Sequence, residues 1–195
     1  MNSDQKDVLG ELINIAFGSA TALIASLFDS FATLRIPNIR IVPIDKINEV
    51  AKEEVKITEF FLTSQQIKGS FNGEIVLVIG EESAKNMQLV IGDGEDFDPN
   101  SLQQNILEIA NILGSSCMGR FVELLESEIS FTPPSIKHTD RIIQNVSESP
   151  YSNVIFISTV LEFEGLNIQG NLIIMFKDDM YDKLAKALDT FVENI

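Results

Sequence analysis

Two short sets of polar residues carry the chemistry this sequence can offer. Asp7, Glu11 and Asn14 fall at helical spacing, and Gln104, Glu108 and Asn111 repeat that spacing 97 residues later. Read at about 100° per residue, each set forms one narrow polar stripe along a helix. Gly18 and Ser115 continue the two stripes by one turn. Around the first stripe stand Val8, Leu9, Leu12, Ile13, Ile15, Ala16 and Phe17, so polar groups cut through an otherwise apolar helix. An asparagine amide has no usable base, but it donates and accepts hydrogen bonds together and can hold a water in one orientation. A glutamate one turn away, about 4.5 Å along the axis, can accept from a lysine or anchor a partner. No serine, cysteine or histidine beside the stripes forms a nucleophile–base pair. The stripes cannot perform covalent catalysis alone, but they can complete another molecule's site by positioning water. A polar hinge between helices, or a solvated face, is the plainer structural alternative.

The other candidates are weaker. Cys117 is the lone cysteine and His138 the lone histidine, which excludes an internal disulfide and a Cys/His metal cluster. Cys117 reads as a small buried thiol, and His138 as an ordinary residue in a strand-like stretch. Gly92-Asp93-Gly94 is acidic and lacks a lysine, so it would repel phosphate. The formal charge is −15, spread evenly, with 8 basic and 15 acidic residues in 1–97 and 6 and 14 in the rest. That balance disfavours nucleic acid and anionic membranes as partners. The amino terminus lacks the basic and apolar regions of a signal peptide. The longest uncharged run, Leu12 to Phe28, is short and polar for a membrane span. The chain reads as a soluble cytoplasmic protein.

Positioning the stripes requires two long helices. The first is expected from Ser3 or Asp4, either of which can cap it, to about Asp29, with Gly18 a possible bend. The second starts at Asp98-Pro99, with aspartate as cap and proline at the first helical position, and runs to about Ser127. Strands are expected at 39–44, 55–63 and 73–79, then near 135–143, 153–163 and 170–176. A short helix is expected over 46–52, and longer ones over 81–90 and 178–192. Residues 91–99 read as a linker. Asn14, Glu11, Pro37 and Gly73 map onto Asn111, Glu108, Pro134 and Gly170 at one offset of 97. A constant offset over some sixty residues implies an internal duplication with pseudo-twofold symmetry. The expectation is a single α+β domain over 1–195, built of two homologous halves, 1–97 and 98–195. They would share an antiparallel β-sheet, with the two long motif-bearing helices packed on it.

The pattern Asp/Ser-x3-Glu-x2-Asn-x22-Pro resembles the signature of the CheC/CheX/FliY phosphatases of chemotaxis. Asp7, Glu11, Asn14 and Pro37 match it throughout; Glu108, Asn111 and Pro134 match it again, with Gln104 in place of Asp or Ser. The resemblance covers nearly the whole chain. Two motifs in this length resemble the CheC branch, since CheX is shorter with one motif and FliY adds a carboxy-terminal switch domain that is not expected here. The resemblance implies dephosphorylation of the phospho-aspartate of a CheY-like response regulator. Asn14 and Asn111 would orient the attacking water, and Glu11 and Glu108 would engage the receiver's phosphate-site lysine. Asp7 and Gln104 would be supporting residues, and Pro37 and Pro134 would shape loops. The protein would need no cofactor or metal of its own, the Mg²⁺ belonging to the receiver. Gln104 implies a second site that is weaker or shifted in receiver preference. The alternative is a binding module for a receiver, a CheD-type deamidase or a flagellar-switch partner. A monomer is expected, because the duplication can substitute for a homodimer.

Overall fold

The structure, a computed structural model, describes residues 1–27, 32–55, 59–91, 99–163 and 166–193. The elements run α1 (Ser3–Leu27), β1 (Ala32–Pro43), a 3-10 turn (Ile44–Lys46), α2 (Ile47–Val55), β2 (Phe60–Gly69), β3 (Gly73–Gly80), α3 (Glu81–Ile91), α4 (Pro99–Leu124), β4 (Ile129–Phe131), β5 (Ser135–Thr139), a 3-10 turn (Val146–Glu148), β6 (Asn153–Phe163), β7 (Leu166–Phe176) and α5 (Asp179–Glu193). All the strand pairings are antiparallel and form one sheet in the order β1-β6-β7-β3-β2-β4, with β5 also paired to β2. The fold is the expected α+β arrangement.

Side chains alternate between the two faces along each central strand. Ile75, Leu77 and Ile79 of β3 face a cluster shared with α1, α3, α4 and α5, while Val76 and Val78 face a second cluster with α2. Both faces are covered, which is why these strands read as unbroken apolar runs. By length and composition α1 could cross a membrane. Its Leu9, Leu12, Ile13, Ala16, Phe17, Ala20 and Ile24 are instead buried in the first cluster.

The order of long helix, edge strand, strand pair and helix recurs along the chain, with α2, among the described residues, present in the first half only, and the sheet order is the same read from either end. The β3–β7 pair lies at its centre, and the edges are β1 and the broken strand β4/β5. Each edge contains one extra residue relative to its partner. Arg35 pairs with Val160 and Asn38 with Ser158; Phe131 pairs with Ile67 and Ser135 with Ser64. Prolines fall inside both irregularities, where a missing N–H costs no ladder bond.

Several boundaries differ from expectation. The cap of α1 is Asn2, not Ser3 or Asp4. The Gln5 N–H donates to Asn2 Oδ1 (2.8 Å) and the Asn2 N–H to Gln5 Oε1 (2.9 Å), a reciprocal capping box. Gln5 Nε2 also donates to Asp189 of α5 at 2.9 Å, tying the first turn to the last helix. Helix α1 runs through Gly18 unbroken. Strand β2 begins at Phe60, because α2 extends to Val55. Pro37 lies within a strand. The Asp98 cap, Asp29 and the 92–94 loop lie outside the described residues.

Both tyrosines are held neutral. Burial, then the charge and hydrogen bond of Glu74, pushes the Tyr151 phenol from its ordinary 10 to about 12. Burial and Asp178 raise Tyr181 further, and its hydroxyl donates to the Asn153 carbonyl at 2.6 Å. The folded state favours the neutral phenols, so this contribution to stability is complete below pH 10 and is lost as pH rises through about 12. With two tyrosines and no tryptophan in the chain, alkaline ultraviolet titration reads both cleanly. Native protein is expected to show no phenolate step near pH 10, whereas denaturant-unfolded protein shows one.

Candidate functional site

Helices α1 and α4 pack against each other and share the same face of the sheet. Their apolar arcs face inward: Leu12 and Ile13 of α1 and Ile106 and Ile109 of α4 are at most 2% exposed. The polar stripes are what remains outside. Asp7, Glu11 and Asn14 are exposed on α1, and Gln104, Glu108 and Asn111 on α4. The six expected site residues therefore stand in solvent, three on each of two adjoining helices. Ile15, 40% exposed, and Leu23, 44% exposed, extend the open side of α1.

The two asparagines differ in their support. Buried Gln65 of β2 donates through Nε2 to Asn111 Oδ1 (2.8 Å) and to the Thr132 carbonyl (2.9 Å). Asn111 is thus fixed by a residue 46 positions away, at the point where the proline-interrupted edge strand turns. Its neighbour Ser115 donates to the Asn111 carbonyl at 2.5 Å. Among the described residues no group bonds the Asn14 amide. Sequence reasoning missed Gln65. Its signal was a polar residue on the core-facing side of β2, in line with Phe61, Thr63 and Ile67, where an amide needs a partner.

No family model matches the chain. The flagellar motor switch phosphatase FliY of Bacillus subtilis is 24% identical over 151 residues, covering 71% of this chain and 39% of the relative. The chain thus spans well under half the length of that relative. In fold it is similar to Thermotoga maritima FliY, with a TM-score of 0.78, 21% identity and coverage of 98% of both chains. In sequence and in fold the chain is similar to proteins of the CheC/CheX/FliY type. The FliM middle domain of Vibrio alginolyticus has the same fold at a TM-score of 0.66 and 13% identity, over 92% of this chain and 99% of that one.

In neither stripe does a described lysine or arginine neutralise the glutamate; the ion pairs seen among the described residues lie elsewhere, as in Arg120–Glu123 and Lys46–Glu49. Glu11 and Glu108 are free to accept from outside the chain. Among the described residues no group of three metal-ligating side chains occurs. His138, on β5, lies 3.5 Å from Glu81 and edge-on to the Phe61 ring, apart from both stripes. A cleft of about 420 Å³ opens on the opposite face of the sheet beside Glu74, Lys137 and Tyr151, and no stripe residue lines it.

Cys117 is buried on the inner side of α4 beside Ile13, Phe17, Met118 and Phe121. Burial pushes its thiol well above the ordinary range, so little thiolate is available at neutral pH. Ellman's reagent is expected to label no thiol in the native protein and one after unfolding. Labelling of the folded protein would show that the α1–α4 layer opens.

Proposed function

We propose that the protein hydrolyses the phospho-aspartate of a CheY-like response regulator in chemotaxis signalling. The observation that carries this reading is the pair of exposed glutamate–asparagine sets on neighbouring helices, each glutamate lacking an internal cation among the described residues. The sequence match to a flagellar motor switch phosphatase supports it. The receiver supplies the acyl phosphate and its Mg²⁺. Glu11 draws the receiver's phosphate-site lysine toward α1, and Asn14 holds a water in line with the aspartyl-phosphate bond. The water oxygen bonds to phosphorus, the bond to the aspartate oxygen breaks, and inorganic phosphate leaves with the free carboxylate regenerated. Glu108 and Asn111 repeat the arrangement on α4. Asp7 and Gln104 support the first turn of each stripe. Catalysis is by positioning and electrostatics, with no nucleophile or cofactor from this chain.

The two halves, 1–97 and 98–195, are the products of a duplication within a single domain. The same sheet order from both ends supports this reading; because a duplication can substitute for a homodimer, the proposed state is a monomer, in the cytoplasm. A second reading keeps the surface and drops the hydrolysis. The fold is shared with FliM domains, one of them solved in complex with FliG, so the stripes would dock a receiver, a flagellar-switch partner or a CheD-type deamidase. Phosphate release from an acetyl-phosphate-charged receiver, followed with and without substoichiometric protein, separates the two. Faster release with turnover supports the phosphatase. Complex formation without acceleration, across several receivers, supports the docking module.

A further inference from the structure

We infer that Gln65 is a positioning residue for the second site, and that it couples Asn111 to the proline of its own motif. This rests on the phosphatase reading above. Gln65 is 3% exposed, so a partner meets Asn111 and not Gln65 itself. Its Nε2 gives one hydrogen to Asn111 Oδ1 and the other to the Thr132 carbonyl, which exhausts its donors. Thr132 precedes Pro133-Pro134, and its own N–H donates to the Gln66 carbonyl at 3.1 Å while its hydroxyl accepts from the Gln66 N–H at 3.1 Å. The extra residue between Phe131 and Ser135 is therefore clamped to β2, and the clamp sets where the Thr132 carbonyl stands. That carbonyl fixes the Gln65 amide, and Gln65 fixes Asn111. With Oδ1 directed inward, Asn111 presents its Nδ2 donors outward, together with the second lone pair of Oδ1. In the second motif the spacing from asparagine to proline thus has a physical content: the proline-bearing edge strand holds the amide that orients Asn111.

Two further details support the assignment. Among the described residues Gln65 Oε1 is buried without a partner, so the hydrogen bonds this glutamine makes at a core position are those of its Nε2. Gly114, one turn beyond Asn111, leaves room for it, because a Cβ there would come within 2.7 Å of Gln65 Oε1. Strand β6, which lies beside the other proline-bearing edge, contains no glutamine, and among the described residues this device is seen at the second site alone.

The test uses full-length protein with Asn14→Ala in place, so that only the second site turns over. Gln65→Met removes the donors at nearly constant volume, and Gly114→Ala displaces the amide by contact. Both are expected to lower kcat for receiver dephosphorylation by about tenfold or more, with KM for the receiver unchanged, since the surface is untouched. In the same variants the Asn111 side-chain NH₂ resonances should shift and lose their separation, in ¹⁵N spectra taken without any receiver. Unshifted Asn111 resonances in Gln65→Met overturn the positioning role, whatever the activity. Shifted resonances with kcat unchanged or raised overturn its catalytic consequence. If the parent protein does not accelerate dephosphorylation at all, the phosphatase reading fails, and the resonances still decide whether Gln65 orients Asn111.

Discussion

The double variant Asn14→Ala/Asn111→Ala is expected to lose acceleration of receiver dephosphorylation by about a hundredfold or more, while still folding and still binding the receiver. Both asparagines are exposed, so truncation leaves the apolar packing of α1 and α4 intact, although Asn111→Ala also removes the acceptor of the buried Gln65 amide. The loss falls on the step that needs an oriented water. Among the single variants, Asn14→Ala is expected to have the larger effect. Its stripe carries Asp7 and Glu11, whereas the second stripe replaces the first acid with Gln104. Initial rates of phosphate release under saturating receiver measure all three variants. Circular dichroism and thermal unfolding would show Asn14→Ala within about 0.5 kcal/mol of the parent, whereas the variants carrying Asn111→Ala strand a buried Gln65 donor and should cost about 1 kcal/mol or more while still folding.

The largest stability effect is expected at Gly73→Ala. Gly73 begins β3 and pairs with Phe176 at the centre of the sheet. A Cβ there would stand 2.1 Å from the Met175 carbonyl oxygen, a backbone atom of the residue paired with Glu74 in the β3–β7 ladder. That atom cannot move without breaking the central pairing, so the cost should exceed about 3 kcal/mol and can prevent folding. Gly170, its counterpart at the offset of 97, sets the comparison. A Cβ there meets Leu77 Cδ1 and the Val78 carbonyl at 3.4 Å, ordinary contacts, and Gly170→Ala should cost about 1 kcal/mol or less. Urea unfolding of the two variants would show this inequality. Equal costs would mean that the central strands separate more easily than their packing implies.

The long helices and their stripes were legible because periodicity alone places them: one apolar arc buried, one polar line left outside. The central strands were legible for a similar reason, as short apolar runs rich in β-branched residues. What could not be read depended on contacts distant in sequence. Strand β4 is three residues long and gains its identity only by pairing with Ile67–Gly69. The second half of β2 contains Gln65 and Gln66, which look unlike strand until α4 is in place to bond one of them. The true cap of α1 shifted to Asn2 because Gln5 completes a capping box that Ser3 and Asp4 cannot form. The six stripe residues were legible by type and spacing, but the difference between Asn14 and Asn111 was not, since it arises from a single buried side chain on another element.

One measurement bears most directly on the phosphatase reading: the decay of a phosphorylated CheY-like receiver, with wild-type protein and the double asparagine variant at equal, substoichiometric concentration. Multiple turnovers are expected with the wild type and a rate near spontaneous decay with the variant, although both bind the receiver. Equal acceleration by the two proteins would contradict it, because hydrolysis would then not depend on the asparagines.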